Sequence, residues 1–476
     1  MVWTMISKYS HMVISFVSGI ILARLLTPHD YGCIGMLTIF MVLAEAFIDG
    51  GFGSALIQKK NPTQEDYSTI FFWNMAVAAI LYSILYFSAP AIARYYHIPL
   101  LSSVLRVQAL ILFIYAFNVV QKNQLRKDLN FKVIAIVSIG TSVIALCVTI
   151  IMAYKGFGVW ALVTQNIIVA AIPALVFWFF LKWRPQFVFS LKSFKELFGF
   201  GFYMLLATLL QRFSSQIQGL LIGRVYSSST MGYYSKALST ESLASHSISS
   251  VISSVTYPLY AQIQDDKAAL INVIKRVTMT ISYVSFPIMF ILLLLAKPLF
   301  VLLYSDRWLD SVPYFQVLCL AGLAVCLQSV NLQTISAIGK SKVMFSWSVV
   351  KSVNRIVFVV GGLALFGMKG LLCGVVVTNW VSLLINMCLV SKHIGYKLKE
   401  QIFNLLPILI VSALAAGISY GVGSLLHLGL YADGIVKLLV YLMVYLGWSF
   451  IFKPGAYTYT LTIIPQKFRF WEKKSK

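Results

Sequence analysis

The sequence predicts an all-α polytopic membrane protein of about 14 transmembrane helices, arranged as two six-helix lobes plus two C-terminal helices. Three observations predict it: apolar runs of membrane-spanning length, little charge inside those runs, and a short motif that returns after 200 residues. Of the 476 residues, 59% are hydrophobic and 11% charged, with a mean hydropathy of +0.84. Soluble domains carry roughly 25% charged residues. A hydrocarbon core ~30 Å thick takes about 20 apolar residues at ~1.5 Å of rise each. Fourteen spans therefore use roughly 300 residues and leave no stretch for a separate soluble domain.

Between Gly, Pro and charged punctuation, the expected spans are 5–26, 32–57, 69–92, 104–120, 133–154, 157–181 and 197–223. They continue at 234–258, 277–303, 312–337, 343–366, 369–391, 404–425 and 434–452. The first, Met5 to Leu26, is long enough to cross and has no small-residue cleavage site after it, so it reads as a helix rather than a signal peptide. The eighth is rich in Ser and Thr. That composition suits a helix facing other helices or a water-filled cavity, not lipid.

Charge sets the orientation. The even-numbered connections and the C-terminal tail hold 24 of the 38 Lys and Arg residues. They include Lys59 and Lys60, then Lys122, Arg126 and Lys127, and in the tail Lys467, Arg469, Lys473, Lys474 and Lys476. The odd-numbered connections hold six, among them Arg24, Arg94 and Arg224. Basic residues concentrate on the cytoplasmic side, so both termini are expected there. The net charge of +23 thus follows from topology and attraction to membrane lipids, and no nucleic-acid partner is needed to explain it. The six cysteines lie in or beside apolar runs without CxxC or Cys/His spacing, which marks them as packing residues.

The repeat links Gly19-Ile-Ile-Leu-Ala-Arg24 with Gly32 to Gly219-Leu-Leu-Ile-Gly-Arg224 with Gly232. An even number of spans per half inserts both halves the same way up. This predicts an N-terminal lobe at 1–196, a second at 197–396, and helices 13 and 14 with a basic tail at 397–476.

Charges inside the spans mark the candidate site, because an ionised side chain at helix centre costs about 2.5–3.5 kcal/mol on insertion scales. Lys351 and Arg355 lie one turn apart on span eleven, with Asn354 beside them. Arg212 lies near the middle of span seven, four residues before Gln216. Arg212, Lys351 and Arg355, with Gln216 and Asn354, are candidate contacts for an anionic, phosphorylated substrate. Glu45 and Asp49 share a face of span two, and Glu241 lies in span eight. These acids either pair with the bases or couple transport to an ion. Asn331, Gln333, Asn379 and Trp380 suit sugar hydroxyls and equally suit inter-helix hydrogen bonds. Lys236 and Arg106 lie near outer helix ends and are expected to snorkel to the interface. No P-loop, metal-ligand cluster or nucleophile elbow is found, so no cofactor, metal or catalytic role is expected.

Several strings then align with a known family. Arg24-Leu-Leu-Thr-Pro-His-Asp-Tyr-Gly32 resembles the segment that closes the first helix of bacterial polysaccharide exporters of the Wzx type. Phe47 to Gly53, Met231-Gly-Tyr-Tyr-Ser-Lys-Ala237, Tyr257-Pro258, Asp306-Arg-Trp308 and Gly339-Lys-Ser-Lys342 continue the likeness in order. It is closest to the colanic-acid-exporter-like branch of the multidrug/oligosaccharidyl-lipid/polysaccharide exporter superfamily. Gln218 stands where many relatives carry an Asp, which puts any coupling role at that position in doubt.

The resemblance implies a flippase of the bacterial inner membrane. Its substrate would be an undecaprenyl-pyrophosphate-linked oligosaccharide repeat unit, moved from the cytoplasmic to the periplasmic leaflet by alternating access through a central cationic cavity. Implied partners are this lipid-linked oligosaccharide, membrane lipids and polysaccharide biosynthesis enzymes, with the chain acting as a monomer. A drug or cation antiporter of the same superfamily shares the helix count, but its site favours carboxylates where this chain places cations. A membrane glycan polymerase or ligase needs a sizeable outer loop, and the outer loops here run to about ten residues or fewer.

Overall fold

The computed structural model describes residues 2–263, 265–339 and 341–463, so the distal tail lysines and Arg469 lie outside the described residues. No strand occurs among the described residues, and short turns join successive helices. The chain begins with α1 (Val2–Leu25), α2 (Pro28–Asp49), α3 (Phe52–Gln58), α4 (Gln64–Tyr96), α5 (Leu100–Gln108) and α6 (Ile111–Lys127). Next come α7 (Phe131–Tyr154), α8 (Val159–Phe180), α9 (Leu191–Val225), α10 (Ser228–Gln262), α11 (Lys267–Leu294) and α12 (Ala296–Tyr304). The remainder is α13 (Val312–Ala337), α14 (Ser341–Ile394), α15 (Leu398–Leu426), α16 (Leu430–Phe452) and α17 (Gly455–Ile463).

Among the described residues, eleven helices are long and apolar enough to cross a membrane, or twelve when the bent α9 counts as one span. The expected fourteen exceeds this for two physical reasons. The 52-residue apolar stretch Val343–Ile394 passes as one helix, yet at ~1.5 Å per residue it is more than twice a membrane's thickness. Its backbone leaves helical geometry at Phe366 and Gly367, between the two runs that the sequence separates. The other reason is α10, which is too polar to qualify.

Local chemistry explains the turn at Arg24–Gly32. Thr27 caps α2, accepting from the Asp30 backbone while Asp30 accepts from the Thr27 backbone, and Pro28 fills the first turn. The repeat reproduces part of this device 200 residues on, where Ser227 Oγ accepts from the Thr230 backbone at 3.1 Å. The same Thr–Asp capping box starts α4 at Thr63 and Asp66.

Internal contacts divide the chain into two compact units, Met1–Lys236 and Ala237–Lys476. In the first, α1 packs on α7, α7 on α8, α4 on α5 and α6, and α2 on α9. Within this unit α2 crosses the first turns of α10 at Gly32 and Gly232. A Cβ on Gly32 would strike the Ser228 carbonyl, and one on Gly232 would strike the Pro28 carbonyl. The two repeat-related glycines therefore meet each other reciprocally, and His29 Nδ1 lies 2.5 Å from Ser228 Oγ beside them. In the second unit α11 packs on α13 and α15, α13 on α14, and α15 on α16. The two arms of α14 fold back to back through Gly362, Gly370 and Gly374. None of these has room for a Cβ against the opposing backbone, which is how small residues bring membrane helices close.

Candidate functional site

The first unit gathers charge where α2, α6 and α9 converge. Glu45 and Asp49 are half-buried on one face of α2. Arg212 on α9 acts on both carboxylates; Lys122 on α6 adds to its effect on Glu45, and Arg126 to its effect on Asp49. Tyr115 on α6 faces Glu45, Asp49, Arg212 and Arg126 together. Three bases thus surround two acids, an excess of one positive charge. Among the described residues none of these pairs closes to a 4 Å ion pair, so the groups share a field rather than locking in direct bridges. Gly53 helps to seat Asp49, since a Cβ there would stand 2.9 Å from Asp49 Oδ1 and 2.8 Å from Asn123 Nδ2.

Gln216 follows Arg212 by one turn and is partly exposed. Gln218, on the buried side of α9, accepts a hydrogen bond from the Tyr234 hydroxyl at 3.1 Å. Its amide oxygen therefore serves packing between α9 and α10.

The second unit holds Lys351, Asn354 and Arg355 on the first arm of α14. Lys351 is half-buried, feels the like charge of Arg355, and donates to Asn386 Oδ1 at 3.0 Å on the second arm. That acceptor is neutral, and Lys351 has no ion pair among the described residues. Asn354 Nδ2 is buried and has no hydrogen-bond partner among the described residues, a donor left beside two cations. Glu241 lies buried on α10 near Gly322, and among the described residues its Oε1 has no hydrogen-bond partner. Among the described residues no cation comes within 4 Å of it.

Other polar residues of the spans have structural partners. The Asn379 amide bonds back to the Val375 carbonyl, and Trp380 Nε1 reaches the Leu320 carbonyl on α13. Arg106 and Arg224 lie over Tyr86 and Tyr95 and donate to the carbonyls of the same two tyrosines. Lys236 departs from the expected snorkelling. It is buried, donates to the Gly19 carbonyl at 2.6 Å and lies 5.1 Å from the Tyr31 ring centroid. Lys122 and Arg126 depart too. Read as residues of a connection, they stand on α6, which continues past its apolar run and turns them toward the acids of α2.

A family model described as "Polysaccharide biosynthesis protein" matches residues 21–313, more than half of the chain. The chain belongs to this polysaccharide biosynthesis family. Among its relatives, the teichuronic acid biosynthesis protein TuaB of Bacillus subtilis is 26% identical over 440 residues, covering 90% of each chain. The lipopolysaccharide biosynthesis protein WzxC of Escherichia coli is 20% identical over 425 residues, 86% of this chain and 85% of that one. The resemblance to Wzx-type exporters is thereby borne out. The fold is shared with the lipid II flippase MurJ in its inward closed conformation, at a TM-score of 0.76 and 16% identity, covering 95% of this chain and 98% of the other. The chain is thus a helical protein with many spans of membrane-crossing length, in a family of polysaccharide biosynthesis proteins. The matched region holds the cluster of Glu45, Asp49 and Arg212 and ends before Lys351.

Proposed function

We propose that the chain flips an undecaprenyl-pyrophosphate-linked oligosaccharide repeat unit from the cytoplasmic to the periplasmic leaflet by alternating access through a central cationic cavity. In this reading it acts in the bacterial inner membrane, as a transporter and not as an enzyme, with both termini in the cytoplasm. The physical problem is the head group. A pyrophosphate with attached sugars loses its hydration on entering hydrocarbon, at a cost far above what an acyl tail repays. Intramembrane cations and amides replace that hydration.

The observation that carries the reading is the surroundings of Lys351. It is a half-buried cation in an apolar helix whose hydrogen-bond acceptor is the neutral Asn386, with no ion pair and no partner for Asn354 Nδ2 one turn away among the described residues. An ammonium at that depth is costly unless an anion visits it. In the proposed cycle Lys351 and Arg355 contact the pyrophosphate, Asn354 donates to it or to the first sugar, and Arg212 with Gln216 supplies a second basic station. Glu45 and Asp49 hold down the net charge of that station while the substrate is away. Glu241, without a cation, is left for coupling to a proton or a metal cation.

The test is reconstitution in liposomes with a fluorescent polyprenyl-pyrophosphate saccharide, scoring movement between leaflets. The Lys351→Ala, Arg355→Ala double variant is expected to reach the membrane folded and to flip at a small fraction of the normal rate. Unchanged flipping in that variant would remove both residues from the substrate path.

A further inference from the structure

Outside the charge clusters, the second unit contains a cavity of about 580 Å³ beneath the turn that joins α15 to α16. Its walls come from five helices. The polar part consists of Lys297 on α12, Gln316 on α13, Tyr420 on α15, and Asp433 and Lys437 on α16. The rest is apolar, from leucines such as Leu293 and Leu428 with Pro298 and Val312. Small-molecule sites occupy roughly 300–1,000 Å³ and combine apolar walls with a few convergent polar groups, and this cavity has both properties.

The cavity is built rather than left over. Lys437 lies seven residues into α16, about 10 Å below its start, and Tyr420 lies about 9 Å below the end of α15. At that depth a lysine needs a reason. Its ammonium is held by Asp433 Oδ2 at 2.6 Å and lies 5.0 Å from the Tyr420 ring centroid. Gly423 makes the space: a Cβ there would stand 2.5 Å from both Asp433 Oδ1 and Lys437 Cε. Gln316 is fixed by its bond to the Leu293 carbonyl at 3.2 Å.

Lys437 and Asp433 cancel each other, whereas Lys297 is exposed at the rim and has no ion pair among the described residues. The cavity therefore carries one uncompensated positive charge. Leu430, the first residue of α16, also lines it, and the start of a helix adds a positive field. Leu414, Ile418, Leu425, Ile435 and Leu439 are exposed on α15 and α16, the two helices that frame the turn above the cavity.

We propose that this cavity binds the phosphate of a lipid head group, with the acyl or prenyl chain lying along the exposed faces of α15 and α16. The surplus positive charge suits an anionic phosphate group, and the apolar walls accept the carbons next to it. This site needs none of the residues proposed for flipping, and it stands whether or not that function is correct.

The test uses the purified full-length chain in neutral detergent, with bound lipid measured by native mass spectrometry. The probes are dioleoylphosphatidylglycerol, undecaprenyl phosphate and, as the phosphate-free control, dioleoylglycerol. A phosphate-bearing lipid is expected to be retained and dioleoylglycerol lost. Lys297→Gln, at an exposed position where folding is not at stake, is expected to weaken retention about tenfold, and Lys297→Arg to restore it. Lys437→Gln is expected to do the same where it folds. Preferential retention of phosphatidylglycerol makes bulk lipid the source of the phosphate, and preferential retention of undecaprenyl phosphate makes it the carrier. Both outcomes support the site. Equal retention by Lys297→Gln and the unaltered chain, or equal retention of dioleoylglycerol, overturns it.

Discussion

Without its guanidinium, the Arg212 position would leave Glu45 and Asp49 facing only Lys122 and Arg126 across the first unit. Two roles for Arg212 then make different predictions. Acting only to neutralise the acids, it would become dispensable once an acid is removed with it. Acting as an anion contact, it would not. We expect Arg212→Gln to lower the thermal midpoint of the purified chain, and Glu45→Gln added to it to restore most of that loss, because neighbouring charges couple. Flipping is expected to stay impaired in the double variant, and its recovery would reduce Arg212 to a counter-charge. Gly32 and Gly232 permit a prediction without electrostatics. Each has an opposing carbonyl where a Cβ belongs, and backbone cannot yield as a side chain does. Gly232→Ala is expected to destabilise the fold by about 1–3 kcal/mol, the usual cost of overpacking. A thermal midpoint equal to that of the unaltered chain would show that α2 and α10 separate freely here.

Among the elements, α14 shows most clearly what hydropathy can and cannot reveal. The chain was readable as two spans because Phe366-Gly367-Met368-Lys369 interrupts an apolar run twice as long as a membrane needs, and the backbone breaks at that place. Gly367 takes φ 60° and ψ −142°, close to a region that residues with a Cβ avoid. Gly367→Ala is therefore expected to cost about 1–3 kcal/mol and to loosen the packing of Gly362 on Gly370, which disulfide trapping of engineered cysteines across the two arms would report. The candidate bases were legible for a similar reason, because Lys351, Arg355 and Arg212 interrupt apolar runs. Lys122 and Arg126 were not. Hydropathy marks where a helix leaves the hydrocarbon, whereas α6 keeps its backbone hydrogen bonds several residues further and carries both bases back toward α2. Lys236 was missed because its partner is the main-chain carbonyl of Gly19, and a carbonyl leaves no trace in composition. The cavity beneath the α15–α16 turn was equally invisible, since its five walls are distant in sequence.

For the molecule as a whole, orientation in the membrane follows from how the charges are distributed and how they are used. The sequence reading puts twenty-four bases at or near one set of helix connections and in the C-terminal tail, against six at the other set, and acids contribute little to such a bias. That matters at Lys59, which pairs with Asp66 at 3.0 Å and Glu196 at 3.2 Å, because pairing in the folded state does not erase its effect during insertion. Arg224 bonds the Tyr95 carbonyl and His97, and Arg106 the Tyr86 carbonyl and ring, so these bases have partners within the protein. Alkaline phosphatase, active only outside the cytoplasm, is therefore expected to be active when fused after His97 or Ser305 and inactive after Asn61 or Pro185. The inverse pattern would reverse the direction of transport relative to the lobes. A mixed pattern, active after both Asn61 and His97, would show that α4 does not cross the membrane, and the first unit could not then carry substrate across it.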